Sequence, residues 1–177
     1  MERLVLIGDS LTEWGNWEDL LRGYRVLNLG VSGETTRGLY ARRDLIRSAL
    51  CDRDCIFVMS GINDILMGDE DVVTFIKVFT RFLLETPLDL KITLQGLLPV
   101  CGDFIDYLNT VRVNNEAIAE LAKALGVGFL DLYSRFVDPQ GIPIRGYFDN
   151  DGVHLSLDGY RVWGSAILGQ LADFHER

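Results

Sequence analysis

The sequence predicts an α/β protein in which helices cover both faces of a five-stranded parallel sheet. Two observations predict it. Short, almost continuously apolar runs bounded by turn residues alternate with segments of helical period along the chain. The runs lack the in–out alternation of a half-solvated sheet, as expected for strands buried on both sides. With 177 residues, 48% of them hydrophobic, the chain has enough apolar material for one sizeable core, and residues 1–177 are expected to form a single domain.

The first strand is expected at residues 4–7, Leu4-Val5-Leu6-Ile7, and runs directly into Gly8-Asp9-Ser10. The second is expected at 25–29 and leads to Gly30-Val31-Ser32-Gly33. The third, at 55–60, ends at Gly61-Ile62-Asn63-Asp64. Val72, Phe75, Ile76, Phe79 and Leu83 then recur at helical spacing. A fourth strand is expected at 91–98. It is followed by a helix carrying Val111, Ile118, Leu121, Ala122 and Leu125, with Gly126 placed to terminate it. The fifth strand is expected at 128–132. Residues 137–153, with Pro139, Gly141, Pro143, Gly146 and Gly152, form the longest irregular stretch, a length often associated with function. The last helix has Ser156 as candidate N-cap and Leu157, Tyr160, Ile167, Leu168, Leu171 and Phe174 as its apolar side.

Bulk properties narrow the function classes. A net charge of −9 disfavours nucleic acid or an anionic membrane as the main partner. No apolar run approaches the ~18 residues of a spanning helix, so stable membrane insertion is not expected. A strand beginning by Leu4 leaves no room for a secretory leader, which favours the cytoplasm. Cys51, Cys55 and Cys101 are odd in number and fit no zinc spacing, so reduced thiols are expected. With His154 and His175 as the only histidines, a multi-histidine metal site is disfavoured. Neither GxxxxGK[ST] nor GxGxxG is present, and nothing in the sequence specifies an oligomeric state.

The chemistry-bearing residues cluster at strand exits. Ser10 lies where ligands gather in an open parallel sheet, and a serine there can be a nucleophile. Ser10-Leu11-Thr12-Glu13 equally fits a helix capping box. A nucleophilic serine needs a base, commonly a histidine held by a carboxylate. His175 lies near the C-terminus, whereas His154 closes the long loop, three residues after Asp151. Asp149 is the competing carboxylate, and His154 equally reads as an ordinary satisfied loop side chain. Oxyanion donors are offered by the backbone at Gly33 and the Asn63 amide, although both stretches also read as turns. A strand order of 2-1-3-4-5 would set Gly33 and Asn63 on either side of Ser10.

The ordered set Gly8-Asp9-Ser10-Leu11, Gly33, Gly61-Ile62-Asn63-Asp64 and Asp151-Gly152-Val153-His154 resembles the SGNH hydrolases, also called GDSL esterases/lipases. The resemblance implies a flavodoxin-like three-layer α/β/α sandwich and a serine hydrolase without metal or organic cofactor. It implies Ser10 as nucleophile, His154 as base and Asp151 as its orienting acid, with the N–H groups of Ser10 and Gly33 and the Asn63 amide as oxyanion hole. Thr12 stands where a GxSxG elbow would have its second glycine, so the usual α/β-hydrolase motif is absent. Trp14, Trp17, Val100, Tyr147 and Phe148 are candidates for pocket lining or for local packing. Asp9 and Asp64 are read as loop-orienting groups, and Arg37, Arg42 and Arg43 as a solvated helix face. Short connections without a lid point to a small-molecule ester with a short acyl group, such as acetyl on a sugar. Thioesters, lysophospholipids and acyl transfer are other chemistries of the family. A non-catalytic flavodoxin-like binding module is the reading from outside enzymology.

Overall fold

The computed structural model describes residues 2–69 and 71–175, with side chains followed as far as residue 172; the expected core position Phe174 and the side chain of His175 lie outside the described residues. In chain order the elements are β1 (Arg3–Gly8), α1 (Ser10–Glu13), α2 (Trp17–Leu20), β2 (Arg25–Gly30), α3 (Thr36–Ala41), α4 (Arg43–Ala49), β3 (Cys55–Met59), α5 (Ile62–Leu66), α6 (Val73–Leu84), β4 (Lys91–Gln95), α7 (Leu108–Leu125), β5 (Gly128–Leu130) and α8 (Leu157–His175). The five strands are parallel and ordered β2-β1-β3-β4-β5, as the sequence predicts. Among the described residues, no helix is long and apolar enough to cross a membrane.

Burial follows the position of each strand. Leu4, Val5, Leu6 and Ile7 of β1 and all of β3 are buried, because these two strands pair on both sides and are covered on both faces. β2 departs from the expectation of full burial. It is an edge strand, with Arg25 and Asn28 exposed and its other residues half-buried. Asn28 is nonetheless employed. Its Nδ2 donates to the carbonyls of Thr12 (3.1 Å) and Glu13 (3.0 Å), satisfying the open end of the short α1.

β4 stops at Gln95, three residues earlier than its apolar run suggests. Leu97 remains buried, but the Asn115 side chain of α7 takes over the ladder's work there. It accepts from Leu97 N–H (2.6 Å) and donates to Leu97 C=O (2.9 Å). A side chain replaces a neighbouring strand, and hydrophobicity cannot report that substitution. β5 likewise ends at Leu130, with Leu132 buried in the turn beyond it.

The helices pack by their expected stripes, with one revision. Ile76, Phe79 and Leu83 of α6 are buried, as are Val111, Ile118, Leu121 and Ala122 of α7, which ends at a left-handed Gly126. In α8 the buried face is Tyr160, Trp163, Ala166, Ile167 and Leu171. Leu157 (77% exposed) and Leu168 (36%) leave the expected stripe. Leu168 is turned about 100° from Ile167. Leu157 opens the helix and lies against a surface hollow instead of the core.

Candidate active site

The register places the ends of three strands level: Gly8 of β1 pairs with Gly30 of β2 and Met59 of β3. At the first exit, the capping-box reading of Ser10 is corrected. Asp9 is the N-cap of α1, its Oδ1 accepting from Leu11 N–H (3.0 Å), and Ser10 is the first helical residue. A capping serine would have its oxygen engaged by the backbone; here a carboxylate caps and the serine hydroxyl is released for another partner. Glu13 does not reach back either. Its carboxylate accepts from the backbone N–H of Ser32 (2.9 Å) and from the Ser32 hydroxyl on the next loop.

The released hydroxyl meets the histidine. Ser10 Oγ lies 2.9 Å from His154 Nε2, across 144 positions of sequence. His154 Nδ1 lies 2.6 Å from Asp151 Oδ2. The other Asp151 oxygen accepts from the N–H groups of Val153 and His154, each at 2.9 Å. Burial pushes the Asp151 carboxyl up, but the hydrogen bonds from His154 and these backbone groups outweigh it and leave the carboxyl below its ordinary range. An ionised Asp151 is only an acceptor, so a neutral imidazole carries its proton on Nδ1 and presents Nε2 as acceptor to the serine hydroxyl. Asp149 contacts the histidine differently: its backbone N–H donates to His154 C=O (2.8 Å).

The loop carrying Asp151 and His154 is clasped by backbone. Cys101 N–H donates to Gly152 C=O (2.9 Å), and Gly152 N–H to Asp149 C=O (3.1 Å). Gly152 has φ +76°, and a Cβ there would lie 2.2 Å from the Cys101 carbonyl oxygen. The glycine of Asp-Gly-Val-His is thus demanded both by its left-handed conformation and by that approach. Ser156 caps α8 as expected, accepting from Gly159 N–H (3.2 Å). The Tyr160 hydroxyl donates to Leu11 C=O (2.9 Å) and joins α8 to α1 beneath the site.

The second and third exits are tied to each other by side chains. Asn63 Nδ2 donates to Glu34 C=O (3.0 Å), which leaves its second N–H for another acceptor. Asp64, buried, accepts from Thr36 N–H (2.9 Å) and from the Thr36 hydroxyl (2.6 Å). Burial raises its carboxyl above the ordinary range, opposed by those bonds. Arg42 pairs with Glu34 (2.7 Å) and donates to Leu29 C=O (2.8 Å), so it supports this loop and is not part of a solvated face. Arg37 and Arg43 lie over Phe75 and Tyr40. Gly33 is exposed at φ +74° with open space where a Cβ would be, so its conformation, not crowding, calls for glycine. Asp9 is fully buried, with Oδ2 lacking a hydrogen-bond partner among the described residues; burial pushes its carboxyl up to about 7, opposed by the Leu11 hydrogen bond and reinforced by Glu34 and Asp64.

The expected lining residues separate. Val100 and Phe148 are buried, and Phe148 and Tyr147 both pack edge-on against Phe136. Trp17 is core, donating to Thr12 C=O (2.7 Å) and meeting Trp163 and Tyr160 edge-on. Trp14 is 56% exposed and stacks on His154, with centroids 4.1 Å apart and planes 20° from parallel. It also borders a hollow of about 420 Å³ whose other walls include Asn16, Asp149, Leu155, Tyr160 and Arg161. Ser10 and His154 do not line that hollow, so it adjoins the site without being the reaction crevice. Sequence reasoning missed the Glu13–Ser32 contact. The Ser-x-x-Glu spacing suggests a helix cap, whereas Glu13, at the end of α1, accepts from Ser32 on the loop after β2. Among the described residues, no group of three or more acidic, histidine or cysteine side chains is arranged to hold a metal ion.

A serine hydroxyl on a histidine that is held by a carboxylate, at the carboxyl edge of a parallel sheet, is the arrangement that serine-hydrolase chemistry calls for. The family model of the GDSL-like lipase/acylhydrolase family matches residues 6–162, and the chain belongs to that family. Platelet-activating factor acetylhydrolase IB subunit alpha1 of Rattus norvegicus is 28% identical over 182 residues, spanning 96% of this chain and 76% of the relative. A lipolytic G-D-S-L family protein from Veillonella parvula superposes with a TM-score of 0.80 at 20% identity, covering 96% of this chain and 97% of the other. An acetyl xylan esterase from Geobacillus stearothermophilus gives 0.74 at 24% identity, with coverages of 94% and 93%. These structural likenesses show the shared fold.

Proposed function

We propose that the protein is a serine esterase that removes short acyl groups, acetyl foremost, from a small alcohol or sugar. The observation that carries the reading is the continuous contact Ser10–His154–Asp151 at 2.9 and 2.6 Å. Ser10 Oγ attacks the ester carbonyl while His154 Nε2 takes its proton, and Asp151 stabilises the imidazolium. The Ser10 N–H lies in the first turn of α1, where a helix offers it no internal acceptor. Together with Gly33 N–H and the second N–H of Asn63, it stabilises the oxyanion. His154 then protonates the departing alcohol, and water repeats the cycle on the acyl-enzyme. The preference for acetyl is supported by the names of two relatives, an acetylhydrolase and an acetyl xylan esterase.

The test is hydrolysis of acetyl, butyryl and longer p-nitrophenyl esters, followed by acetylated sugars. Rates are expected to fall with acyl length; equal or faster turnover of long chains would remove the acetyl assignment. Ser10→Ala and His154→Ala should abolish turnover, and an organophosphonate should label Ser10 stoichiometrically. Full esterase activity in Ser10→Ala would overturn the scheme. Asn63→Ala should lower kcat by roughly 10²–10³.

A further inference from the structure

Trp14 occupies an unusual place for an indole that is more than half exposed. One face is stacked on the His154 imidazole at 4.1 Å, and its Nε1–H donates to the Ser32 hydroxyl (3.0 Å). Ser32 is itself held at two points, its N–H and its hydroxyl both donating to Glu13. The chain Glu13–Ser32–Trp14 therefore ends on the imidazole ring. Asp151 fixes that ring only at Nδ1, an in-plane contact about which the ring can still swing. A stacked indole restrains the remaining motion out of that plane, and stacked aromatic pairs attract one another beyond the area they bury. Solvent-exposed bonds of this kind add little to global stability, but they set geometry, and geometry at a proton-transferring ring is where rate is sensitive.

We propose that Trp14 is a positioning residue that holds His154 Nε2 on Ser10, and that Ser32, anchored by Glu13, holds Trp14 in place. The proposal rests on the Ser10–His154 reading of the site and extends it to three residues outside the family motif. It also places the base and the loop preceding Gly33 under one set of contacts, because Ser32 adjoins Gly33 in sequence.

The experiment is steady-state hydrolysis of p-nitrophenyl acetate, with thermal melting, on Trp14→Leu, Trp14→Phe, Ser32→Ala and their combinations. Trp14→Leu should lower kcat on the order of 10²-fold, the scale of a small misplacement of a reacting group, with KM within about twofold and the melting temperature unmoved. Trp14→Phe keeps an aromatic face and should recover most of kcat. Ser32→Ala should lower kcat by a smaller factor, and its effect should largely vanish in the Trp14→Leu background, since both act through one ring. Wild-type kcat in Trp14→Leu overturns the proposal, as does a Trp14→Phe variant no better than Trp14→Leu. A Ser32→Ala effect of undiminished size in the Trp14→Leu background overturns the part assigned to Ser32. Ser10→Ala and His154→Ala are run alongside: if they are inactive while Trp14→Leu is normal, only this inference fails, whereas an active Ser10→Ala removes the underlying reading as well.

Discussion

The two sides of the site are built by different means. The loop bearing Asp151 and His154 is held mainly by backbone: Cys101 to Gly152, Gly152 to Asp149, Asp149 to His154, and Asp151 Oδ1 on two consecutive N–H groups. The facing segments, residues 32–36 and 63–64, are held by side chains: Asp64 on Thr36, Asn63 and Arg42 on Glu34, and Glu13 on Ser32. Backbone clasps constrain shape whatever side chains are present, so they fail by steric intrusion. Side-chain clasps fail by truncation and respond to charge. The protein gives His154 and Asp151 the first kind of support, and the segments at Gly33 and Asn63 the second.

Substitutions at three positions test that contrast, in order of falling effect on activity. Gly152→Ala intrudes on the backbone clasp, since its Cβ would meet the Cys101 carbonyl at 2.2 Å in a left-handed conformation. Activity should fall by on the order of 10² or more as Asp151 and His154 shift. Strain of this kind costs about 1–3 kcal/mol, so the melting temperature should fall with it. An active Gly152→Ala enzyme would show that this loop is less constrained than its hydrogen bonds imply.

Asp64→Ala breaks the opposite clasp by truncation and leaves the Thr36 N–H and hydroxyl buried without acceptor. That should cost about 1–3 kcal/mol in denaturant unfolding, with a smaller loss of kcat than Gly152→Ala because Asn63 keeps its own bond to Glu34. A milder form is Asp64→Asn, which retains one acceptor and should lie between wild type and Asp64→Ala. If Asp64→Ala unfolds normally but loses all turnover, the residue acts in chemistry and not in support.

The smallest effect on activity is expected at Asp9, where the readout is stability against pH. Its folded-state value of about 7 lies above the ordinary carboxylate value, so the folded protein keeps this proton where the unfolded chain has lost it. The contribution is complete below pH ~4 and disappears as pH rises through about 7. Asp9→Asn retains an oxygen to cap Leu11 and cannot ionise. Wild type should therefore lose stability relative to Asp9→Asn as pH rises from ~4 to about 7, measured by denaturant midpoints. A difference that does not change across that window would mean that Asp9 is ionised throughout.

Legibility in the sequence followed the range over which each interaction acts. The five strands were readable because a doubly covered parallel sheet demands continuous apolar runs. Their ends were not, because Asn115 ends β4 from 18 residues away and leaves Leu97 as buried as a strand residue. The edge character of β2 was also hidden, since exposure depends on which neighbours a strand has. Asp151 and His154 are three residues apart, and their spacing alone suggests the contact. Val100 and Phe148 were reasonable lining candidates by position, but their side chains turn into the core.

From the sequence alone came the α/β class, the sheet's strands, and the residues able to do chemistry at three strand exits and one long loop, because these depend on hydrophobic pattern and local turn chemistry. Only the tertiary structure decided that Asp9 and not Ser10 caps α1, that Glu13 reaches Ser32, and that Trp14 lies on His154. Each of those outcomes is a competition among partners for one polar group or one ring face. The winner is set by which segments the fold brings within about 3–4 Å, and neither composition nor spacing records that.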